Sequence, residues 1–236
     1  DLRYRVYSFA SLNYATDTAN PKIGALFQKV QEFIAAVGQK IVFFELEWNN
    51  LDDAAARHIY ESPLLEKFRF QLESGRRFKP YQLSEIEEQL IMEKSVTGRS
   101  AWVRFFTQVT SAIRIDWDGQ TLNMQQTLTK LYNEDRAVRQ KASELITAAL
   151  KARSMELTYV FNVLAADKAS EDKRRGYESW IASRNLDNLA PESVVNALVT
   201  TVTSSYELVE RHYQLKRALL GYDTLTEYDR YAPIPA

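Results

Sequence analysis

Apolar residues near the start of the chain recur at spacings of three and four. Asn20 can cap a helix, and Pro21 suits the first helical position. The apolar positions that follow are Ile23, Leu26, Phe27, Val30, Phe33, Ile34, Val37, Ile41 and Phe44. This period predicts one long helix that continues through Gly38, where the missing side chain allows close packing. Aromatic residues at helical spacing from residue 2 to about residue 15 predict an antiparallel partner helix.

The next segment predicts shorter helices. Residues 52–73 favour two of them, broken at Ser62-Pro63 because the residue before a proline avoids the helical region. Residues 75–80 predict a loop. Ser84 and Glu87 have the spacing of a capping box, which starts a further helix. Gly98 predicts a break, with another helix from about residue 100 to residue 113.

The period changes from helical to alternating around Asp118-Gly119. Ile113, Ile115 and Trp117 alternate with polar residues before this pair, and Leu122 and Met124 alternate after it. Alternation on both sides of Asp-Gly is typical of a β-hairpin. The sequence therefore predicts one small hairpin near residues 113–124.

The second part of the chain returns to a helical pattern. Residues 125–166 predict helix with a cap at Asn133, and residues 155–164 are apolar enough to be buried on most sides. Residues 167–190 are polar and predict irregular structure. Pro191 starts the clearest helix, which ends at Gly221. Its predicted apolar face comprises Val194, Val195, Leu198, Val202, Tyr206, Val209, Tyr213 and Leu220. Residues 228–235 predict an extended segment.

These elements together predict a mainly α fold, a helical bundle of long antiparallel helices with the hairpin as its one small β element. We expect two regions: an N-terminal helical lobe over residues 1–120 that ends in the hairpin, and a second helical region over residues 121–236. Seven glycines and six prolines in 236 residues fit long helices better than a barrel or sandwich, which needs many turns.

Composition excludes several classes of function. The chain has no cysteine, so it has no disulfide, thiol nucleophile or cysteine zinc site. The net charge of −1 gives no general attraction to nucleic acid or to an anionic membrane surface. No apolar run approaches the roughly 18 residues that a membrane-spanning helix requires.

Familiar catalytic motifs are also missing from the sequence. His58 and His212 are too far apart to form the H-E-x-x-H zinc motif, and neither has a glutamate three residues before it. The chain contains no G-x-S-x-G elbow, P-loop or G-x-G-x-x-G sequence. We therefore assign no catalytic, cofactor-binding or metal residue.

Groups of acidic and basic residues along the chain fit either structural or binding roles. Glu45 and Glu47, and the glutamates at 85, 87, 88 and 93, fit solvated helix faces. Two basic clusters, Arg76-Arg77-Lys79 and Lys173-Arg174-Arg175, fit solvated loops. With nearby Tyr177 and Trp180 the second could instead grip single-stranded nucleic acid, and either cluster could hold a peptide carboxylate.

Four strings, in this order along the chain, resemble the oligoendopeptidase F family of zinc metallopeptidases. They are FFELEW (residues 43–48), EKSVTGRSAW (93–102), SRNLDN (183–188) and EYDRYAP (227–233). The resemblance spans essentially the whole chain. It implies a mainly helical, cytoplasmic enzyme that binds zinc through H-E-x-x-H and a further glutamate and hydrolyses short peptides in an enclosed cleft.

The resemblance places those zinc ligands C-terminal to the matched stretch. We therefore expect this chain to lead into a C-terminal catalytic domain of the same polypeptide, to form a wall of the cleft, to be inactive alone, and to expose an apolar docking surface. Its partners would be that domain and short peptides, with no nucleic acid or membrane, and zinc would belong to the parent enzyme. The alternative is a stand-alone helical peptide-binding module without catalysis. A nucleic-acid binder is the weakest hypothesis, given the net charge.

Overall fold

The computed structural model of the chain describes residues 2–234, and 78% of it is helical. Within the described residues, the sheet has two strands. The α-helices are α1 Leu2–Thr16, α2 Pro21–Asn50, α3 Asp53–Tyr60, α4 Arg69–Gly75, α5 Glu85–Thr97, α6 Arg99–Ser111, α7 Met124–Leu128, α8 Arg136–Lys151, α9 Ser154–Arg175, α10 Ala182–Asp187, α11 Glu192–Ser204 and α12 Tyr206–Leu220. Strands β1 and β2 span Arg114–Trp117 and Gln120–Asn123, and 3-10 helices span Pro63–Phe68, Arg76–Tyr81, Thr129–Tyr132 and Glu227–Asp229. The predicted mainly α fold with one hairpin is confirmed.

The chain forms two compact units. Unit 1 contains the residues up to Phe105 together with Phe161–Glu192, and unit 2 contains Phe106–Val160 together with the residues from Ser193 onward. Helices α6, α9 and α11 contribute residues to both units because the unit boundaries fall within them. The division into regions 1–120 and 121–236 stays a prediction.

Helix α2 is the longest element of unit 1. The Asn20 side chain accepts a hydrogen bond from the Lys22 N–H at 3.1 Å, which starts the helix as predicted. The helix passes through Gly38 without a break. A Cβ atom at Gly38 would lie 3.2 Å from the sulfur of Met92 on α5, so glycine permits the close approach of these two helices.

Helix α1 packs against α2 through a small apolar core. Ala10 and Tyr14 of α1 are buried with Phe27 and Val30 of α2, and the rings of Tyr14 and Phe27 stack with centroids 5.1 Å apart. The prediction of a helical partner for α2 at the start of the chain is therefore confirmed.

Helix α5 begins with the predicted capping box. The Glu87 N–H donates to the Ser84 hydroxyl while the Glu87 carboxylate accepts from the Ser84 N–H at 3.0 Å. Gln39 of α2 donates from Nε2 to the Gln89 carbonyl of α5 at 2.9 Å, which fixes the two helices side by side. The helix ends at Gly98, as the sequence predicts.

Two predictions of secondary structure in unit 1 are wrong. Residues 75–80, predicted as a loop, mostly form the 3-10 helix Arg76–Tyr81. Residues 167–175, predicted as irregular, continue helix α9. Ion pairs one turn apart support this polar end of α9: Lys168 with Asp172 at 2.6 Å, and Arg175 with Glu171 at 2.8 Å.

The hairpin of unit 2 is confirmed in its predicted place. Ile115 pairs with Leu122, and both are buried. Asp118 and Gly119 connect the strands with positive φ angles of 53° and 84°, as the twist of a two-residue hairpin turn requires.

Helix α8 begins two residues later than predicted. Asp135, not Asn133, is its cap, since the Asp135 carboxylate accepts from the Ala137 N–H at 2.9 Å. The Asn133 side chain accepts instead from the Asp135 N–H at 2.9 Å and so positions the cap from two residues before it.

The end of unit 2 is fixed by buried charges. Asp229, fully buried, accepts hydrogen bonds from Arg139 at 2.9 Å and from Arg136 at 2.8 Å, both on α8. Lys216 of α12 donates to the Arg230 carbonyl at 2.8 Å. The predicted extended segment 228–235 therefore begins inside a 3-10 turn, and its last residue, Pro235, lies outside the described residues.

The helix predicted from Pro191 to Gly221 is divided at Ser205 into α11 and α12. Every residue of α11 is described, and none is buried. Five large side chains on the two helices, Val194, Leu198, Val202, Tyr206 and Val209, are each at least half exposed. We call this set the apolar stripe.

The predicted burial of residues 155–164 is also wrong, because Val160 is buried while Met155 and Phe161 are exposed.

Candidate functional site

The two histidines occupy separate, exposed positions. His58 lies in the last turn of α3 in unit 1, and His212 lies on α12 in unit 2, with its ring 5.3 Å from that of Tyr213. Across residues 2–234, no three His, Asp or Glu side chains form a group that could hold a metal ion. The described residues therefore do not provide a zinc ligand set, and no catalytic step is assigned to them.

The first basic cluster serves the fold of unit 1. Arg76, with a side chain only 10% exposed, donates to the Trp48 carbonyl at 2.6 Å and to the Leu51 carbonyl at 2.8 Å. It also pairs with Asp53 at 2.6 Å and lies over the Trp48 ring. These bonds complete the C-terminal end of α2, where helix carbonyls lack partners within the helix. The solvated-loop interpretation is wrong for Arg76.

The second basic cluster lies at the end of α9, and two of its residues form ion pairs with α5. Arg175 binds Glu88 of α5 with both carboxylate oxygens, at 2.7 and 2.9 Å, and Arg174 pairs with Glu87 at 2.6 Å. Glu88 is nearly buried, so its predicted place on a solvated helix face is wrong. A bidentate pair of this kind is both strong and directional, and here it holds α9 against α5.

The Arg175–Glu88 pair shifts the pKa of both groups. Burial by itself would raise the pKa of Glu88, but the hydrogen bonds from Arg175 and from the Leu83 N–H outweigh it and lower that pKa. The hydrogen bond with Glu88, with a further one to Glu171, raises the pKa of Arg175 against the effect of burial. Both groups therefore remain ionised at neutral pH.

Unit 1 contains a cavity of about 710 Å³, which we call the unit 1 cavity. Helices α2, α5, α6 and α9 form its walls, with residues of the 3-10 helix Arg76–Tyr81 and of α10. The stacked rings of Tyr81 and Tyr177, 4.2 Å apart, contribute to one side. Sites for small ligands typically enclose about 300 to 1,000 Å³, so the cavity has room for a short peptide segment.

Sequence reasoning missed the polar residues of this cavity. Asn49 and Gln82 both line it, and the side-chain oxygens of both are buried without a hydrogen-bond donor among the described residues. Glu45 lies one turn before Asn49 on α2 and lines the same wall. The helical spacing of Glu45 and Asn49 was a signal in the sequence, but the position of Gln82 depends on the fold.

The fold places the chain among mainly helical proteins of known structure. The crystal structure of oligoendopeptidase-F from Enterococcus faecium superimposes with a TM-score of 0.88 at 23% sequence identity, over 99% of this chain and 48% of that chain. This likeness shows the shared fold.

Sequence comparison finds similar proteins of one family. The profile of the family described as Oligopeptidase F matches residues 47–115. Group B oligopeptidase PepB of Streptococcus agalactiae is 25% identical over 98% of this chain and 39% of its own length, and oligopeptidase PepF of Bacillus subtilis is 26% identical over 98% and 35%. The chain is therefore similar to the N-terminal portion of oligoendopeptidase F family proteins, and it spans less than half the length of these relatives.

The described residues also bear on membranes. None of their helices combines the length and the apolar character needed to cross a bilayer.

Proposed function

We propose that this chain forms a wall of the substrate cleft in a zinc-dependent oligoendopeptidase that hydrolyses short peptides in the cytoplasm. The observation that carries the proposal is the alignment of 98% of the chain with oligopeptidases of which it covers only 35% to 39%. The zinc ligands and the general base would come from a C-terminal catalytic region of the same polypeptide. The chain alone would then bind no stoichiometric zinc and hydrolyse no peptide.

The apolar stripe supports a docking role. Side chains of this size normally lose contact with water, because burying each one stabilises a protein by about 1.5 to 3 kcal/mol. Leu198 is 64% exposed and Val202 is 50% exposed, on helices that bury little of their surface within unit 2. Exposed apolar side chains at this spacing favour an interface. The occupant we propose is the catalytic region of the same polypeptide.

The encoding gene provides the first test. We expect the reading frame to continue past the codon for Ala236 to a helix with the H-E-x-x-H motif, and the full product to bind about one zinc ion and cleave short peptides. A stop codon directly after Ala236 would contradict the proposal.

The docking surface has its own test in the full product. Leu198→Lys places a charge in the proposed interface and should lower the yield of folded, active enzyme. Asn196→Lys, on the same helix outside the apolar stripe, is the control. Equal activity of both variants would contradict the proposed interface.

A second candidate function is a stand-alone helical peptide-binding module. The unit 1 cavity favours it, since it has the size of a ligand site and is built from this chain alone. A gene that ends at Ala236, with tight binding of a defined peptide and no turnover, would support this alternative.

A further inference from the structure

Some polar side-chain atoms that line the unit 1 cavity have hydrogen-bond or ion-pair partners among the described residues, and others do not. Glu88 and Glu171 are occupied by Arg175, and Lys168 binds Asp172 at 2.6 Å and the Ser183 hydroxyl at 3.1 Å. By contrast, Asn49 is only 7% exposed, and its Oδ1 atom has no donor among the described residues. A buried acceptor without a donor is unfavourable, so this atom indicates a missing partner.

Gln82 presents a second acceptor of the same kind. Its Nε2 group donates to the Asn50 side-chain oxygen at 2.9 Å, which fixes the orientation of the amide. The remaining atom, Oε1, is buried, and no described residue donates to it. Asn49 and Gln82 thus contribute two oxygens to one cavity, and both require a donor.

Glu45 adds negative charge to this wall. It precedes Asn49 by four residues on α2, so the two side chains lie on one face of the helix about 6 Å apart at their Cβ atoms. One carboxylate and two amide oxygens together suit a group that is positively charged and carries several N–H donors. A primary ammonium group has three donors and one charge.

We propose that Glu45, Asn49 and Gln82 form a subsite in the unit 1 cavity that binds a primary ammonium group of a short peptide, either its N-terminus or a lysine side chain. The assignment of the ligand as a peptide rests on the proposed function, whereas the preference for an ammonium group follows from the side chains themselves. Arg99 and Arg184 also line the cavity, where they suit carbonyl or carboxylate oxygens of the same peptide.

Matched peptides isolate the ammonium group in a titration of the 236-residue chain by calorimetry. The probes are trialanine amide, N-acetyl-trialanine amide and N-acetyl-Ala-Lys-Ala amide, none of which has a carboxylate. We expect trialanine amide, the lysine peptide or both to bind about tenfold or more tightly than N-acetyl-trialanine amide. The two amine-bearing probes distinguish an N-terminal from a lysine ammonium. Equal binding of all three probes, or binding of none, would overturn the proposal.

Variants locate the subsite. Glu45→Gln and Asn49→Leu should each weaken the amine-bearing probe about tenfold, and Asn49→Asp, which adds a charge at the same place, should tighten it. Glu47→Gln is the control, because it removes an exposed carboxylate from the same helix outside this cavity. Circular dichroism checks that each variant is folded, and Asn49→Asp retains the test if Asn49→Leu does not fold. Affinities that change equally in Glu45→Gln and Glu47→Gln would overturn the assignment.

The outcome is separable from that of the proposed function. If the full product cleaves no peptide but the amine-dependent binding persists, the cleft-wall proposal fails while the subsite stands. If the full product is an active peptidase and the chain shows no preference for an amine, only the subsite fails.

Discussion

Asp229→Asn is the substitution with the clearest expected effect on stability. The Asp229 carboxylate is fully buried and accepts from Arg136 at 2.8 Å, from Arg139 at 2.9 Å and from the Thr226 N–H at 3.0 Å. Asparagine has the same shape, but it has no charge and directs an NH₂ group at one of these donors. The fully buried Arg139 is then left without an ion pair.

The expected magnitude follows from the charges. Burial by itself would raise the pKa of Asp229, but the hydrogen bonds from Arg136, Arg139 and Thr226 outweigh it and lower the pKa from 3.8 to about 2. Two pKa units correspond to about 2 to 3 kcal/mol. Removing one partner of a buried pair costs about 3 to 5 kcal/mol. We therefore expect Asp229→Asn to lower the free energy of unfolding of unit 2 by about 3 kcal/mol near neutral pH.

The pH dependence has a defined sign. The folded-state pKa of Asp229 lies below its unfolded value, so its stabilisation is fully present above pH 4, roughly, and is lost as the pH falls toward 2. The difference between wild type and Asp229→Asn should therefore shrink over this window.

Urea unfolding followed by circular dichroism, at about pH 7 and about pH 3, measures both effects. Asp223→Asn is the control, because Asp223 is exposed on the same segment. A loss below about 1 kcal/mol at neutral pH, or a difference that does not change with pH, would contradict this role of Asp229.

Three further substitutions test other contacts by urea unfolding. Arg175→Met leaves the nearly buried Glu88 without its bidentate partner and should cost about 3 to 5 kcal/mol; a loss no larger than that of Arg174→Met would contradict the role of this pair. Ser84→Ala should cost about 1 kcal/mol and raise the pKa of Glu87 from about 2, since the hydrogen bond from the Ser84 hydroxyl is the largest cause of that low value; an unchanged pKa by NMR would count against it. Gly221→Ala should cost about 1 kcal/mol because Gly221 ends α12 at a φ of 68°, whereas Gly221→Asn should cost less; equal losses would show that the left-handed backbone is not the cause.

Local rules predicted the elements whose determinants are close in sequence. The capping box of Ser84 and Glu87 and the turn at Asp118-Gly119 each depend on residues within a few positions, and both are confirmed. The uninterrupted helix through Gly38 was also predicted from its local period and is confirmed. The reason for the glycine is not local, because the sulfur of Met92 lies 54 positions further along the chain.

Predictions failed where a distant contact determines the structure. The cluster at Arg76 was predicted as a loop because its partners, the carbonyls at the end of α2, cannot be identified from the sequence. Glu88 was predicted to lie on a solvated helix face because its partner, Arg175, lies far along the chain. The polar wall of the unit 1 cavity escaped prediction for the same reason, since Gln82 joins Asn49 only in the folded unit.

The apolar stripe differs from these cases, because its helical period depends on local sequence alone. Its helical period was predicted from the sequence, and the structure adds that the side chains of this face are exposed. In the structure Val194 is 59% exposed and Leu198 is 64% exposed. This exposure agrees with the apolar docking surface that the family resemblance led us to expect.

The most direct test of the proposed cleft-wall function is the hydrolysis of a quenched fluorescent peptide, with zinc added, by the 236-residue chain alone and by the full product of its gene. The proposal predicts no cleavage by the chain, and cleavage by the full product that stops when zinc is chelated. Zinc-dependent cleavage by the purified chain, or none by a folded full product, would contradict it.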